Sequence, residues 1–211
     1  MKYLVKTPGI VQRWIYPAYT WQLPAEGKKL YLTFDDGPHP SITPFVLDEL
    51  KKYNAKATFF CIGKNVEKHP EIYKRMIMEG HTAGNHTYDH VNGWHTADRV
   101  YFNSIERAAR FIDSRLFRPP YGRITRFQAA QLQKQLDYKV IMWTVLSGDF
   151  DPDITPEQCL KNVLKNSASG SIIVFHDSEK ANEKLKFALP EVLKQLTNEG
   201  FVFEKLAADS C

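Results

Sequence analysis

Two adjacent carboxylates close an apolar run in Leu30-Tyr31-Leu32-Thr33-Phe34-Asp35-Asp36-Gly37-Pro38. Aromatic and β-branched residues lead into them as a strand, and Gly-Pro ends it. Successive side chains of an extended chain point opposite ways, so the pair can divide its work. One carboxylate can hold a cation while the other accepts a proton. Ordinary turns use the same residues, so this stretch alone does not separate the two readings.

Further along, His86-Thr87-Tyr88-Asp89-His90 places two imidazoles four residues apart. If the segment is one helical turn, both rings face the same way and can grip one metal. Such a pair is commonly just a helix face. With Asp36 added, two nitrogens and one oxygen make the three-ligand set of a catalytic zinc site, with a position left for water. Arg118-Pro119-Pro120-Tyr121 follows a short apolar strand. It reads either as a stiff surface loop or as a turn that aims Arg118 at a carboxylate and the Tyr121 backbone N–H at a developing oxyanion. Asp149-Phe150 and Val174-Phe175-His176-Asp177 end two more strands. A histidine there is commonly a satisfied core residue, but one with a carboxylate beside it makes a good general acid.

The elements that must position these residues alternate along the chain. Residues 1–27, with Trp14, Pro17, Trp21 and Pro24, read as an irregular arm packed on a main domain of residues 28–211. Strands are expected near 28–34, 55–63, 116–118, 138–145, 170–175 and 201–206, with a short strand or loop at 81–87. Helices are expected from Ser41 to Asn54, up to Glu79 with a start signal at Pro70, and over 96–114, 124–136, 155–165 and 181–198. In the 96–114 helix, Val100, Ile105, Ala108, Ala109 and Ile112 form the apolar side. Roughly seven strand–helix units with near-continuous apolar strands indicate an α/β fold with mainly parallel strands, and the count suits a barrel. Asp35, Asp36, His86, His90, Arg118, Tyr121, Asp149 and His176 all fall at or just past strand ends, the rim where parallel barrels build their sites.

Composition narrows the function. The 211 residues carry a net charge of only +4, with basic and acidic residues mixed. No basic stripe argues for nucleic acid. Cys61, Cys159 and Cys211 lack both zinc-finger and disulfide-framework spacing and read as reduced thiols, with Cys61 a small core residue. The N-terminus has no apolar signal region and no run reaches membrane-spanning length, so the chain as written reads as soluble and unexported.

Taken in order, Thr33-Phe34-Asp35-Asp36-Gly37, His86-Thr87-x-x-His90, Arg118-x-Pro120-Tyr121, Asp149-Phe150 and Val174-x-His176 resemble the polysaccharide deacetylase family, carbohydrate esterases with the NodB homology domain. The resemblance spans about residues 28–206. It implies a distorted (β/α) barrel whose open side leaves a groove for a polymer. It also implies that Asp35 is the general base, oriented by Arg118, and that Asp36, His86 and His90 hold one divalent metal, zinc by default, with cobalt or nickel able to substitute. Tyr121 would lend its backbone N–H to the oxyanion, and His176, tuned by Asp149, would protonate the departing amine. Phe150 and Val174 would wall the acetyl pocket, where the family usually has Trp and Leu. The implied partner is an acetylated glycan such as peptidoglycan, chitin oligomers or xylan, met by a monomer; relatives acting on cell walls are typically exported. The rival readings are a non-catalytic carbohydrate-binding descendant and a metal phosphoesterase, the second without ligands for a second metal.

Overall fold

The computed structural model describes residues 4–12, 17–25 and 27–210. Trp14 and Cys211 lie outside the described residues. The first strand, β1 (Lys29–Asp35), is the centre of a parallel sheet. It is followed by α1 (Ile42–Lys52), β2 (Ala57–Cys61), α2 (Gly63–Lys68), α3 (Pro70–Met78) and β3 (Thr82–Asn85). Next come α4 (Asp98–Ala109), β4 (Leu116–Phe117), α5 (Arg126–Gln135), β5 (Lys139–Val140) and β6 (Val145–Leu146). The chain ends with α6 (Pro156–Asn166), β7 (Ile172–His176), α7 (Asn182–Asn198) and β8 (Val202–Phe203). The strand order is β5-β4-β3-β2-β1-β7-β6, with β8 paired to the start of β1.

Alternation along the strands decides what faces what. Leu30, Leu32 and Phe34 of β1, Ala57, Phe59 and Cys61 of β2, and Ile173 and Phe175 of β7 pack outward against the helices in one core. Phe34 stacks on Phe59 at 5.0 Å between ring centres. The opposite phase, Tyr31, Phe60, Leu116 and Ile172, fills the inside of the curled sheet. Asp35 pairs in register with Phe60 on one side and His176 on the other, so all three share the inward phase at the carboxyl ends of the strands. Gly84 is required beside them, because a Cβ there would collide with the Phe60 ring. Cys61 and Cys159 are buried free thiols.

Three expected elements differ. The helix ending near Glu79 is two helices broken at His69, with Pro70 opening the second, as its missing N–H allows. In α4 the buried side is Tyr101, Ser104, Ile105 and Ala108, whereas Val100 is exposed and Ala109 faces water. The stripe was disguised because Ser104 is inside for a polar reason: its hydroxyl accepts the Tyr88 N–H at 3.0 Å. Residues 138–145 form not one strand but β5 and β6, which sit at opposite edges of the sheet.

That break closes the barrel. Ile141 N–H donates to Phe117 O at 2.8 Å, and Thr144 N–H donates to Ile172 O at 3.1 Å, so the short Ile141–Thr144 stretch spans both edges. No helix lies between β5 and β6. Instead, Thr20 pairs with Val140 and Met142, and Val5 and Thr7 pair with Leu146 and Thr144. From inside, Arg118 donates through Nε to Ile141 O at 3.3 Å and through Nη2 to Met142 O at 3.0 Å. Arg118→Met would leave these carbonyls and Asp35 without their donor in a buried position. We expect it to lose about 3–5 kcal/mol of unfolding free energy in a urea titration. A loss under about 1 kcal/mol would mean that the seam closes without Arg118.

Candidate active site

β1 delivers Asp35 to the barrel interior, where it is 4% exposed and accepts a hydrogen bond from Arg118 Nη1 at 2.7 Å. The same Nη1 donates to Thr33 Oγ1 at 2.7 Å. Asp36 departs from the alternation expected of a strand, because its φ of 85° turns the chain back. Both carboxylates therefore line one cleft of about 470 Å³. The reversal is held by Asp36 N–H donating to Phe60 O at 3.2 Å and Asn65 Nδ2 donating to Asp36 O at 2.7 Å. Gly37 follows because the Asp177 carboxylate occupies the space of any Cβ there. Asp177 accepts the Gly37 N–H at 3.0 Å and the Thr43 hydroxyl at 2.5 Å, and burial lifts its pKa to about 7.

The two histidines converge, though not as a helical turn. Residues 86–90 are a loop in which Thr87 (φ 62°) and His90 (φ 57°) are both left-handed. Asn85 Oδ1 accepts the Thr87 N–H at 2.9 Å, and Thr87 Oγ1 accepts the Val91 N–H at 3.2 Å. These side-chain bonds replace helical ones and bring the imidazole centres to 5.1 Å. His90 Nε2 lies 3.2 Å and His86 Nε2 3.8 Å from Asp36 Oδ1.

This set fits a divalent metal. One ligand atom from each of the three residues lies within 4.8 Å of the others. Tetrahedral bonds of ~2.0–2.1 Å place ligand atoms about 3.3 Å apart. Asp36 Oδ1 is buried and takes no well-aligned hydrogen bond. His86 Nδ1–H donates to Arg118 O at 2.7 Å, which fixes the tautomer and turns the Nε2 lone pair toward Asp36. Burial, only partly offset by Asp35, lowers the His86 pKa to about 4, so the ring is neutral as a ligand must be. Burial opposes charge on Asp36, but contact with His90 and the charges of His176, His86 and His90 outweigh it and hold the carboxyl well below its usual range.

His176 ends β7 on the other side of β1. Asp149, fully buried, accepts both the His176 ring Nδ1–H at 2.8 Å and its backbone N–H at 2.7 Å. The partner is thus Asp149 and not the adjacent Asp177, which faces Gly37. Burial alone would lower the His176 pKa, but the charge and hydrogen bond of Asp149, with Asp36 and Asp35 beyond, raise it to about 9. A dication held by Asp36 acts in the opposite direction by adding positive charge nearby.

Phe150 meets the His176 ring edge-on at 5.1 Å, and Val174 lines the cleft beside it. Tyr121 is left-handed at φ 62°, its ring exposed and 4.6 Å from that of His90. Its turn is closed by Gly122 N–H to Pro119 O at 3.0 Å and Arg123 N–H to Pro120 O at 3.1 Å. Asp35, Asp36, His86, His90, Tyr121, Phe150, Val174 and His176 all line the cleft, whereas Arg118 and Asp149 sit behind the lining as buried partners of Asp35 and His176. Sequence reading had Thr33 in a motif but gave it no role as an acceptor of Arg118, and it assigned none to Trp143 and Leu146 in the apolar wall. The signal for Thr33 was available: it lies two residues before Asp35, hence on the same inward phase.

Comparison with known proteins follows the same outline. The polysaccharide deacetylase family model matches residues 22–141, more than half of the chain. A peptidoglycan-N-acetylglucosamine deacetylase of Bacillus cereus is 36% identical over 87% of this chain and 89% of its own. A chitooligosaccharide deacetylase of Azorhizobium caulinodans is 36% identical over 70% of this chain and 73% of its own. A solved peptidoglycan N-acetylglucosamine deacetylase superposes with a TM-score of 0.85 at 35% identity, covering 95% of each chain. The family-model match ends before Asp149 and His176, which fall within the reach of the longer alignments.

The ligand set is open to direct measurement. Dialysed against zinc, the native chain is expected to retain about one ion per chain by elemental analysis. The His86→Ala/His90→Ala double variant is expected to lose most of it while keeping its far-UV circular dichroism. One tightly held ion in the double variant would exclude this ligand set.

Proposed function

The chain belongs to the polysaccharide deacetylase family, and from that premise we propose that it hydrolyses N-acetyl groups, and O-acetyl groups where they occur, on an acetylated glycan of the peptidoglycan or chitin-oligomer type. The observation that carries the reading is convergence. A paired carboxylate, a carboxylate–imidazole metal set and a carboxylate-supported histidine face one cleft from three different strands.

Each residue then has a task. Asp36, His86 and His90 would hold a divalent metal, zinc in our reading, which would supply Lewis-acid chemistry to polarise the acetyl carbonyl and acidify the attacking water. Asp35 accepts the proton released by that water, held in place by Arg118. The tetrahedral oxyanion receives the Tyr121 backbone N–H, carried on a turn whose neighbouring amides are already bonded. His176 donates its Nε2 proton to the nitrogen of the departing amine, and the C–N bond breaks to leave acetate and a free amino sugar. Asp149 holds the His176 ring by Nδ1, which keeps Nε2 toward the cleft. Phe150, Val174 and Leu146 exclude water around the acetyl methyl. A purely carbohydrate-binding role would leave the Asp149-supported His176 without use in the cleft.

Protonation gives the test. An acid must carry its proton, and His176 loses it as pH rises, so amide hydrolysis should fall on a basic limb between the free-imidazole value of ~6.5 and about 9. The raised pKa has a parallel effect on folding. Its stabilisation is complete below the free-imidazole value and is lost as pH rises through about 9. His176→Ala should lose most activity on an N-acetyl glycan, erase that limb, and keep far more activity on an activated aryl acetate, whose phenolate leaves without a proton. Asp35→Ala should damage both reactions. Equal losses on both substrates in His176→Ala would remove the general-acid role. Failure of the zinc-loaded chain to release acetate from peptidoglycan or chitin oligomers would remove the activity itself.

A further inference from the structure

The cleft wall holds two cations that the chemistry above does not use. Arg123 and Lys180 both line it and both are exposed. Of the acids that share the cleft, two are held by a guanidinium or by imidazoles and the third by a backbone amide. Asp35 is paired with Arg118, Asp36 lies among the imidazoles, and the buried Asp151 accepts the Asp153 N–H at 2.9 Å. Among the described residues neither Arg123 nor Lys180 has a carboxylate within ion-pair distance. Two cations without a salt-bridge partner among the described residues therefore lie in the wall of the cleft.

Arg123 is also held in place. Its carbonyl accepts the Gly93 N–H at 3.2 Å, an approach so close that a Cβ on Gly93 would lie 2.6 Å from that oxygen. Its guanidinium lies 5.3 Å over the ring of Trp94. The ring is fixed in turn by Nε1–H donating to Ile124 O at 3.0 Å, yet it remains 54% exposed. A guanidinium laid along an indole keeps its N–H fork available, and that fork matches a carboxylate. Lys180 approaches from the turn after β7, next to β1 on one side, whereas Arg123 follows β4, three strands away on the other.

We propose that Arg123 and Lys180 recognise a carboxylate carried by the glycan next to the reacting acetamido sugar, so that the preferred substrate is an anionic amino-sugar polymer and not a neutral one. The inference rests on the deacetylase reading and specifies its substrate. Two sources supply the same chemistry: a lactyl ether carboxylate on the sugar itself, or the carboxylates of a peptide stem attached to it.

The test uses the zinc-loaded full chain and three N-acetylated tetrasaccharides. One is chitotetraose, one alternates N-acetylglucosamine with N-acetylmuramic acid bearing free lactyl carboxylates, and one is the latter with stem peptides. We expect kcat/KM at least about tenfold higher on a carboxylate-bearing oligomer than on chitotetraose, equivalent to about 1.4 kcal/mol. The oligomer showing the gain identifies the source. The preference should collapse toward unity in Arg123→Gln/Lys180→Gln and weaken as NaCl is raised. Binding is read independently by the change in Trp94 fluorescence, with Trp94→Phe as the control. Equal kcat/KM on all three oligomers, or a preference unmoved by the double substitution, overturns carboxylate recognition and leaves the deacetylase reading standing. If none releases acetate but the anionic oligomers alone still perturb Trp94, the deacetylase reading falls and the carboxylate site stands.

Discussion

A single buried guanidinium ties this molecule together. Arg118 is fully buried, and its donors reach Thr33 Oγ1, Asp35 Oδ1, Ile141 O and Met142 O while its Cζ lies 4.1 Å from the centre of the Phe60 ring. Taking such a charge out of water costs several kcal/mol unless every donor finds an acceptor. Here the acceptors come from β1 and from the broken stretch between β5 and β6. The barrel seam and the orientation of Asp35 are therefore one arrangement. Even the Arg118 carbonyl takes part, by holding the ring of His86.

Around that anchor the site is made from backbone conformations that most residues avoid. Asp36, Thr87, His90 and Tyr121 all have positive φ. Asp36 and His90 bring their side chains to the cleft, and the Thr87 hydroxyl holds the loop by accepting the Val91 N–H, so glycine at any of these three would lose a function. Such local cost, of order 1–3 kcal/mol for each residue, is sustained only where surrounding bonds over-determine the geometry. The Asn85, Thr87 and Asn65 hydrogen bonds supply that constraint.

Much of this was legible in the chain. Strand ends were marked by apolar runs giving way to Asp35, His176 and Gly37, and the continuous apolar character of β1 and β2 marked them as strands buried on both faces. Other features depended on partners distant in sequence. The loop at 86–90 has helical spacing between its histidines, but Thr87 N–H bonds to the Asn85 side chain, so no helix forms. Residues 138–145 are apolar enough for one strand, and only the two edges they must join break them into two. Ser104 hid the inner face of α4 because its partner, Tyr88, is sixteen residues away. The division of labour among Asp35, Asp36 and His176 came from the family resemblance, since spacing alone allowed several assignments.

The seam carries one more consequence. Where a regular barrel would place another helix, this chain lays residues 5–7 and 20–23 along β6, β5 and the approach to β7, bonding backbone groups of Val140, Met142, Thr144, Leu146 and Gly170. Such unpaired groups at a sheet edge are a template for strands of other molecules. The early residues therefore occupy backbone groups that would otherwise lie open at the edge. A version trimmed to begin at β1 would keep every catalytic side chain yet expose a sticky edge, so its failure would show as aggregation at high concentration before it showed as lost chemistry.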